Sequence, residues 1–289
     1  MIQFTKKIDD ESGIVSKLIF EDERSIAEAV LYRYEDRGVI CFSTQSGCPV
    51  GCTFCGTGNK FIKNLTGTEM SHQIETALNI LKEEGGIPKK MQLMSMSMGE
   101  PMLNWDRVKT IAEYYMYRGY YFFISTVGIE LPEVKKSIID LGIKHDRFGL
   151  QFSLHSTYNA ERMNLFRNHN IPYMDIGSLL RMGQEFTNKT GRRAYFNYIV
   201  TGEETKGDKW WLSTFLKDMH LTCSVMCSTT ELIKADPTNA INLANDIFSM
   251  SDGRVETSTF DPAGQDSIGG GCGMLLYVQD KMSELDLKK

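Results

Sequence analysis

From about residue 38 onward, short runs rich in β-branched, aromatic and aliphatic residues alternate with longer stretches whose apolar residues recur at helical spacing. Val39 to Ser43, Met91 to Met96, Tyr121 to Ser125, Leu150 to Leu154, Ala194 to Val200 and Thr222 to Cys227 read as strands. Between the first two, SHQIETALNILKEE places Ile74, Ala77, Leu78 and Leu81 on one helical face. Asp106 to Arg118, Glu133 to Leu141, Ile176 to Lys189 and Lys209 to Met219 read as crossover helices, and Ala240 to Met250 as one more. Alternating β and α runs predict a parallel sheet in an α/β fold. Six units fall short of a closed eight-fold barrel, so the expected architecture is an open, curved partial (β/α)6 barrel with short N- and C-terminal extensions.

Residues 1–37 are more mixed, with a hairpin or a strand and helix around residues 13 to 35, and are expected to pack on the core as a small extension. Residues 38–289 then form the main domain. Its segment from Ser251 to Gly273 is rich in Gly, Ser and Asp and reads as a loop, followed by a short run, MLLYVQDKM, and a charged tail.

The composition fits a packed globule, with 42% hydrophobic and 24% charged residues among 289. Lys plus Arg number 32 against 37 Asp plus Glu, so the net charge of -5 gives no global attraction to nucleic acid, and any RNA contact must be local. Lys60, Lys63, Lys189, Arg192 and Arg193 are the basic candidates for it, although a helix end and an exposed turn explain them as well. No run approaches a membrane span or a secretory leader, which predicts a cytoplasmic protein with no membrane partner. Seven cysteines, three of them within eight residues, suggest cofactor thiolates in a reducing compartment rather than disulfide staples.

The unusual polar groups follow the strands: QSGCPVGCTFC after the first, SMGEP after the second, STVG after the third and SLHS after the fourth. In parallel β/α folds ligands bind at the carboxyl ends of strands, so these groups should meet at one mouth. Cys48, Cys52 and Cys55 form C-x3-C-x2-C. Three soft thiolates can hold three irons of a four-iron cluster and leave the fourth open to a chelating substrate, whereas a structural zinc site wants a fourth protein ligand. Zinc remains the plain rival. Glu100, between Gly99 and Pro101, offers a carboxylate for an amino group, or simply stands in a β-to-α turn. Ser125, Thr126 and Ser153 suit ribose hydroxyls or a carboxylate, or cap helices. His155 lines the pocket or is satisfied by its neighbours. Taken alone, Cys41 reads as a small buried hydrophobe, Cys272 as a loop cysteine and Glu28 as a solvated acid.

C-x3-C-x2-C with Phe54 before its last cysteine is the hallmark of the radical SAM superfamily. The surroundings resemble its RlmN and Cfr family of RNA adenine methyltransferases: Cys41, Ser43, Gln45, Gly47, Thr57-Gly58, Asn64-Leu65-Thr66, Met98 to Asn104, Ser125-Thr126 with Gly128, Ser153-Leu154-His155, and Cys272-Gly273. The likeness runs in order from about residue 14 to 276. It implies a radical SAM barrel, a 4Fe-4S cluster on Cys48, Cys52 and Cys55, and S-adenosyl-L-methionine bound by Gly99, Glu100, Pro101, Ser125, Thr126, Ser153 and His155.

The resemblance also implies a reaction. Cys272 takes a methyl group from one S-adenosylmethionine, and a second is cleaved to a 5'-deoxyadenosyl radical that removes hydrogen from the methylated cysteine. The resulting radical adds to carbon 2 or carbon 8 of an adenine in rRNA or tRNA. Glu28, at the position of the family's proposed base, takes the ring proton, and Cys41 forms a disulfide with Cys272 to release the product. A small electron-transfer protein would act as reductant to a monomeric enzyme. Unlike the family, the chain starts almost at the catalytic region, without the usual N-terminal helical domain; Asn59 to Lys63, Cys223 to Ser228 and Asp261 to Ile268 also depart from its pattern. A related enzyme using this mechanism on a nucleotide or another small heteroaromatic compound is the rival reading. A nonenzymatic cluster- or zinc-binding protein is the third.

Overall fold

The computed structural model describes residues 1–58, 60–226, 235–261, 264 and 267–269. An antiparallel meander of β1 (Gln3–Asp9), β2 (Val15–Glu21) and β3 (Ile26–Arg33) leads the chain into β4 (Gly38–Cys41), which pairs antiparallel with β3. From β4 the sheet continues in parallel and in chain order through β7 (Met91–Ser95), β8 (Tyr121–Thr126), β9 (Phe148–Ser153), β10 (Tyr195–Ile199), β11 (His220–Ser224) and β12 (Glu256–Phe260). The short strands β5 (Gln45–Gly47) and β6 (Phe61–Asn64) form a separate ribbon beside the cysteine loop.

Six β/α units are present. The helices that close them are α1 (Gly67–Glu83), α2 (Trp105–Tyr117), α3 (Pro132–Lys144), the short α4 (Asn159–Asn164) with α5 (Ile176–Thr190), α6 (Lys206–Phe215) and α7 (Pro237–Met250). Their ends follow local chemistry. Thr66 and Glu69 form a reciprocal capping box at α1, Thr205 and Asp208 do so at α6, and Asp175 caps α5, which ends on Gly191 at φ +69°.

Residues 13 to 35 form the β2–β3 hairpin, the first of the two forms expected of them. One expectation needs correction: the presumed loop after Ser251 contains β12, a seventh parallel strand in register with β11 from His220↔Glu256 to Ser224↔Phe260. The sequence ETSTF has no aliphatic residue to announce a strand, and its pairing comes from the edge of β11.

The main core lies between the sheet's outer face and the helices, where Leu18, Phe20, Leu31, Ile40, Leu93, Ile124 and Leu150 meet Ile74, Leu78, Val108 and Leu179. On the inner face, Val15, Val30, Tyr32, Val39 and Cys41 form a smaller cluster, joined by Met94 and Met96. This leaves β2 buried on both faces, as its run of buried residues from Val15 to Phe20 records. Among the described residues no helix is long and apolar enough to cross a membrane.

Candidate functional site

The cysteine loop leaves β5 through Gly47, whose φ is +75° and where a Cβ would stand 1.9 Å from the Lys60 carbonyl oxygen. The Cys48 amide donates to that same carbonyl at 2.8 Å. Tight turns follow, with Cys55 N–H bonded to the Cys52 carbonyl at 3.1 Å and Gly58 N–H to the Cys55 carbonyl at 3.0 Å. The loop is anchored across the mouth by Thr53 N–H, which donates to the Leu165 carbonyl at 2.8 Å just after α4. Burial pushes the Cys48 thiol up to about 12 and raises Cys52 and Cys55 as well; Cys52 is raised further by the charge of its two companions. Thiols that resist ionisation alone become thiolates when a cation shares the site. Three soft thiolates on one loop are the donor set that a four-iron, four-sulfur cluster takes, each thiolate meeting its own iron and the fourth iron left without a protein ligand.

After β7 the chain turns through Gly99 at φ +101°, where a Cβ would lie 2.7 Å from Gln45 Cβ and 2.8 Å from Thr44 Oγ1. This close approach lets Glu100 N–H reach Gln45 Oε1 at 2.8 Å, while Gln45 Nε2 donates to Asn64 Oδ1 at 2.7 Å. The Glu100 carboxylate is buried and accepts three hydrogen bonds, from Met102 N–H (2.9 Å), Thr126 Oγ1 (2.6 Å) and Val127 N–H (2.9 Å). Burial nonetheless raises its pKa to about 7, against the pull of those donors and of Arg162. Pro101 opens the one-turn 3-10 helix that Glu100 caps.

Ser125 receives a hydrogen bond from Gln151 Nε2 at 3.1 Å, and Thr126 Oγ1 also accepts from Gly128 N–H at 2.9 Å. Ser153 ends β9, and its carbonyl accepts from Arg162 at 3.1 Å. Two residues on, His155 takes the left-handed conformation (φ +58°) and stands edge-on to Phe54, ring centroids 5.0 Å apart. Burial, with the Arg162 charge, lowers its pKa to about 3, so it is a neutral imidazole. Its Nδ1 is out of contact with solvent and has no hydrogen-bond partner among the described residues.

These groups share one cavity. Cys48, Cys52, Cys55, Gly99, Glu100, Ser125, Ser153 and His155 border it at the carboxyl ends of the strands. Thr126 and Pro101 stand behind that wall. Cys41 borders an adjoining cavity deeper in the barrel. Its strand partner is Val30, whose other neighbour is Lys17, so Lys17, Val30 and Cys41 form a row across β2, β3 and β4. Glu28 lies two residues from Val30 on the same face, fully buried, with Oε2 3.3 Å from Lys17 Nζ. Burial raises the Glu28 pKa to about 7, with Lys17 opposing the rise. Cys272 and Cys227 lie outside the described residues.

Sequence reading missed two cations. Lys17 sits in an apolar strand where a lysine suggests a solvent edge. Arg162 is wholly buried, donating to the carbonyls of Val127, Ser153 and Met174, and thereby ties β8 and β9 to the chain before α5. Its place on the six-residue α4, in NAERMN, gives no hint of this. The basic run is less promising than its composition: Lys189 pairs with Glu185, Arg192 binds the Gly142 and His145 carbonyls, and Arg193 pairs with Glu256, at the strand starts and away from the mouth.

Comparison with known proteins agrees with this geometry. Residues 42–174 match the Radical SAM superfamily model. Ribosomal RNA large subunit methyltransferase N of Nitrosopumilus maritimus is 31% identical over 67% of this chain and 57% of its own length. A probable dual-specificity RNA methyltransferase RlmN of Pelodictyon phaeoclathratiforme is 34% identical over 66% of this chain and 54% of its own. The chain thus spans little more than half the length of the curated relatives it matches. A crystal structure of a radical SAM methyltransferase from Sphaerobacter thermophilus superposes with a TM-score of 0.78 at 25% identity, covering 94% of this chain and 80% of that one. With the cysteine loop, the Glu100 turn and the strand-end serines gathered at one mouth, the chain belongs to the radical SAM superfamily, in its RlmN-like branch.

Proposed function

We propose that the chain is a radical S-adenosylmethionine methyltransferase that methylates a ring carbon of adenine, carbon 2 or carbon 8, in rRNA or tRNA. The observation that carries this reading is the convergence of Cys48, Cys52 and Cys55 with Glu100, Ser125, Ser153 and His155 on one cavity, next to Cys41 and the buried Glu28. A four-iron, four-sulfur cluster on the three cysteines supplies the electron for reductive cleavage of S-adenosylmethionine when both are bound.

The protein's own groups divide the remaining work. Gly99 brings the backbone close to the ligand, the Glu100 turn offers acceptors to an ammonium, and Ser125 and Ser153 offer hydroxyls to a carboxylate or ribose. Neutral His155 and Phe54 exclude water from the mouth. Cys272 carries the methyl group as a thioether. Glu28, ionised in part near neutral pH, receives the ring proton at a carboxylate oxygen, and Lys17 balances the charge. The Cys41 thiolate then attacks the Cys272 sulfur: the bond from that sulfur to the transferred carbon breaks as the disulfide forms, the carbon takes a proton to become the methyl group, the one surplus electron would return to the cluster that supplied it, and a small electron-transfer protein reduces the disulfide to two thiols.

The test is anaerobic incubation of cluster-loaded protein with total RNA and methyl-labelled S-adenosylmethionine, followed by nucleoside mass spectrometry. Labelled 2-methyladenosine or 8-methyladenosine is expected. Cofactor cleavage with no labelled RNA nucleoside contradicts the RNA assignment and favours a small heteroaromatic substrate.

A further inference from the structure

Arg162 is a cation held in a dry place without a counter-ion. Its side chain is wholly buried, with the guanidinium 5.0 Å from the centre of the Phe166 ring. The terminal nitrogens donate to the carbonyls of Val127, Ser153 and Met174, the last two at 3.1 Å. Nε is buried with no hydrogen-bond partner, and no carboxylate among the described residues pairs with the guanidinium. Carbonyl dipoles satisfy its N–H groups, yet a full charge that is buried and unpaired remains costly. Burial lowers its pKa to about 10, so it stays charged at neutral pH, and the groups that oppose the fall most are Cys52 and then Glu100.

The surroundings show what that charge is placed to serve. Beyond α4 the chain runs beside the cysteine loop as a strap. Cys52 and Phe166 form an antiparallel bridge, Arg167 N–H donates to the Gly51 carbonyl at 3.2 Å, and Asn168 N–H to the Val50 carbonyl at 3.3 Å. The Asn168 side chain adds a bond to the Pro49 carbonyl at 3.0 Å. The ring against the guanidinium thus belongs to the residue that faces Cys52. On another side, Val127 gives its carbonyl to Arg162 and its N–H to Glu100. Arg162 stands where the cysteine loop, the Glu100 turn and the end of β9 meet.

A neutral donor could tie the same carbonyls together; only a cation also acts on charge. One-electron reduction adds negative charge to a unit that three thiolates already make negative, so a fixed cation nearby favours the reduced form. We infer that Arg162 is a positioning residue for the iron–sulfur unit, bracing the cysteine loop against the strand ends while its charge raises the reduction potential. This deepens the proposed function and rests on it in giving Cys48, Cys52 and Cys55 a cluster.

Redox titration followed by electron paramagnetic resonance, without S-adenosylmethionine, reads that potential apart from catalysis. Cluster-loaded parent, Arg162→Gln and Arg162→Lys proteins are compared, with circular dichroism to verify folding. Gln keeps an N–H donor and loses the charge, whereas Lys keeps the charge and loses the planar fork. The expected result is a midpoint shifted to more negative potential in Arg162→Gln and restored toward the parent in Arg162→Lys. No shift in Arg162→Gln, or equal shifts in both, overturns the inference. If only Arg162→Lys folds, a parent-like midpoint supports the inference and a lowered one overturns it; loss of the fold in both assigns Arg162 to stability alone and overturns it too. A parent that assembles no four-iron cluster defeats the proposed function and the inference together, while a parent cluster whose potential ignores Arg162 defeats the inference only.

Discussion

The turn around Glu100 and the hairpin around Glu28 each bury a carboxylate completely enough to raise its pKa to about 7, yet they treat it differently. Glu100 accepts three hydrogen bonds from fixed donors, two of them backbone amides, and the loops after β7 and β8 depend on it. Glu28 has a single ion-pair contact with Lys17, and neither carboxylate oxygen makes a conventional hydrogen bond among the described residues. Equal burial thus yields an anchor in one place and a carboxylate ready to take a proton in the other. Hydrogen-bond count, rather than pKa, separates the two.

Substitutions can break this contrast. Glu28→Gln keeps the shape and removes the base, so methylated nucleoside formation should fall about 100- to 10,000-fold while the protein still cleaves S-adenosylmethionine; a rate within a few-fold of the parent would end the base assignment. Glu100→Ala strips partners from two buried amides and a hydroxyl. Its effect should appear in denaturant unfolding as a loss of about 3 kcal/mol, with an unchanged midpoint contradicting the anchor role. Lys17→Met removes the cation that opposes the upward shift of Glu28. The acid limb of the methylation pH profile, expected near 7, should then move to higher pH, and an unmoved limb would show that Lys17 does not act on Glu28.

The smallest effect is on stability. Because the folded Glu28 binds its proton more tightly than an exposed carboxylate, its contribution is fully present below the ordinary carboxylate range and is lost as pH rises through about 7. Unfolding followed between pH 5 and 7 in parent and Glu28→Gln proteins should therefore show the parent losing stability relative to the variant as pH rises. Parallel curves would mean that Glu28 is not desolvated.

Much of this was legible in the sequence. The six parallel strands and their helices announced themselves because each apolar run ends at a polar turn, and the cysteine loop, the Glu100 turn and the strand-end serines follow from strand order alone. What stayed hidden depended on contacts distant in the chain. β12 has no apolar signal of its own, and β2 does not alternate because both of its faces are covered. Lys17 and Arg162 look like surface cations until the partner carboxylate and the carbonyls that receive them are placed around them. Glu28 could be singled out only through family likeness, since nothing in AEAV distinguishes a buried acid from a solvated one.

The central claim is that Cys48, Cys52 and Cys55 hold an iron–sulfur cluster with one iron open to S-adenosylmethionine. Electron paramagnetic resonance of the anaerobically reconstituted, reduced protein tests it directly, with and without S-adenosylmethionine and beside a Cys55→Ala control. The expected result is a four-iron signal that changes when the ligand is added and is lost in the control. Protein that carries zinc in place of iron and sulfide, or a cluster signal indifferent to the ligand, would contradict the account.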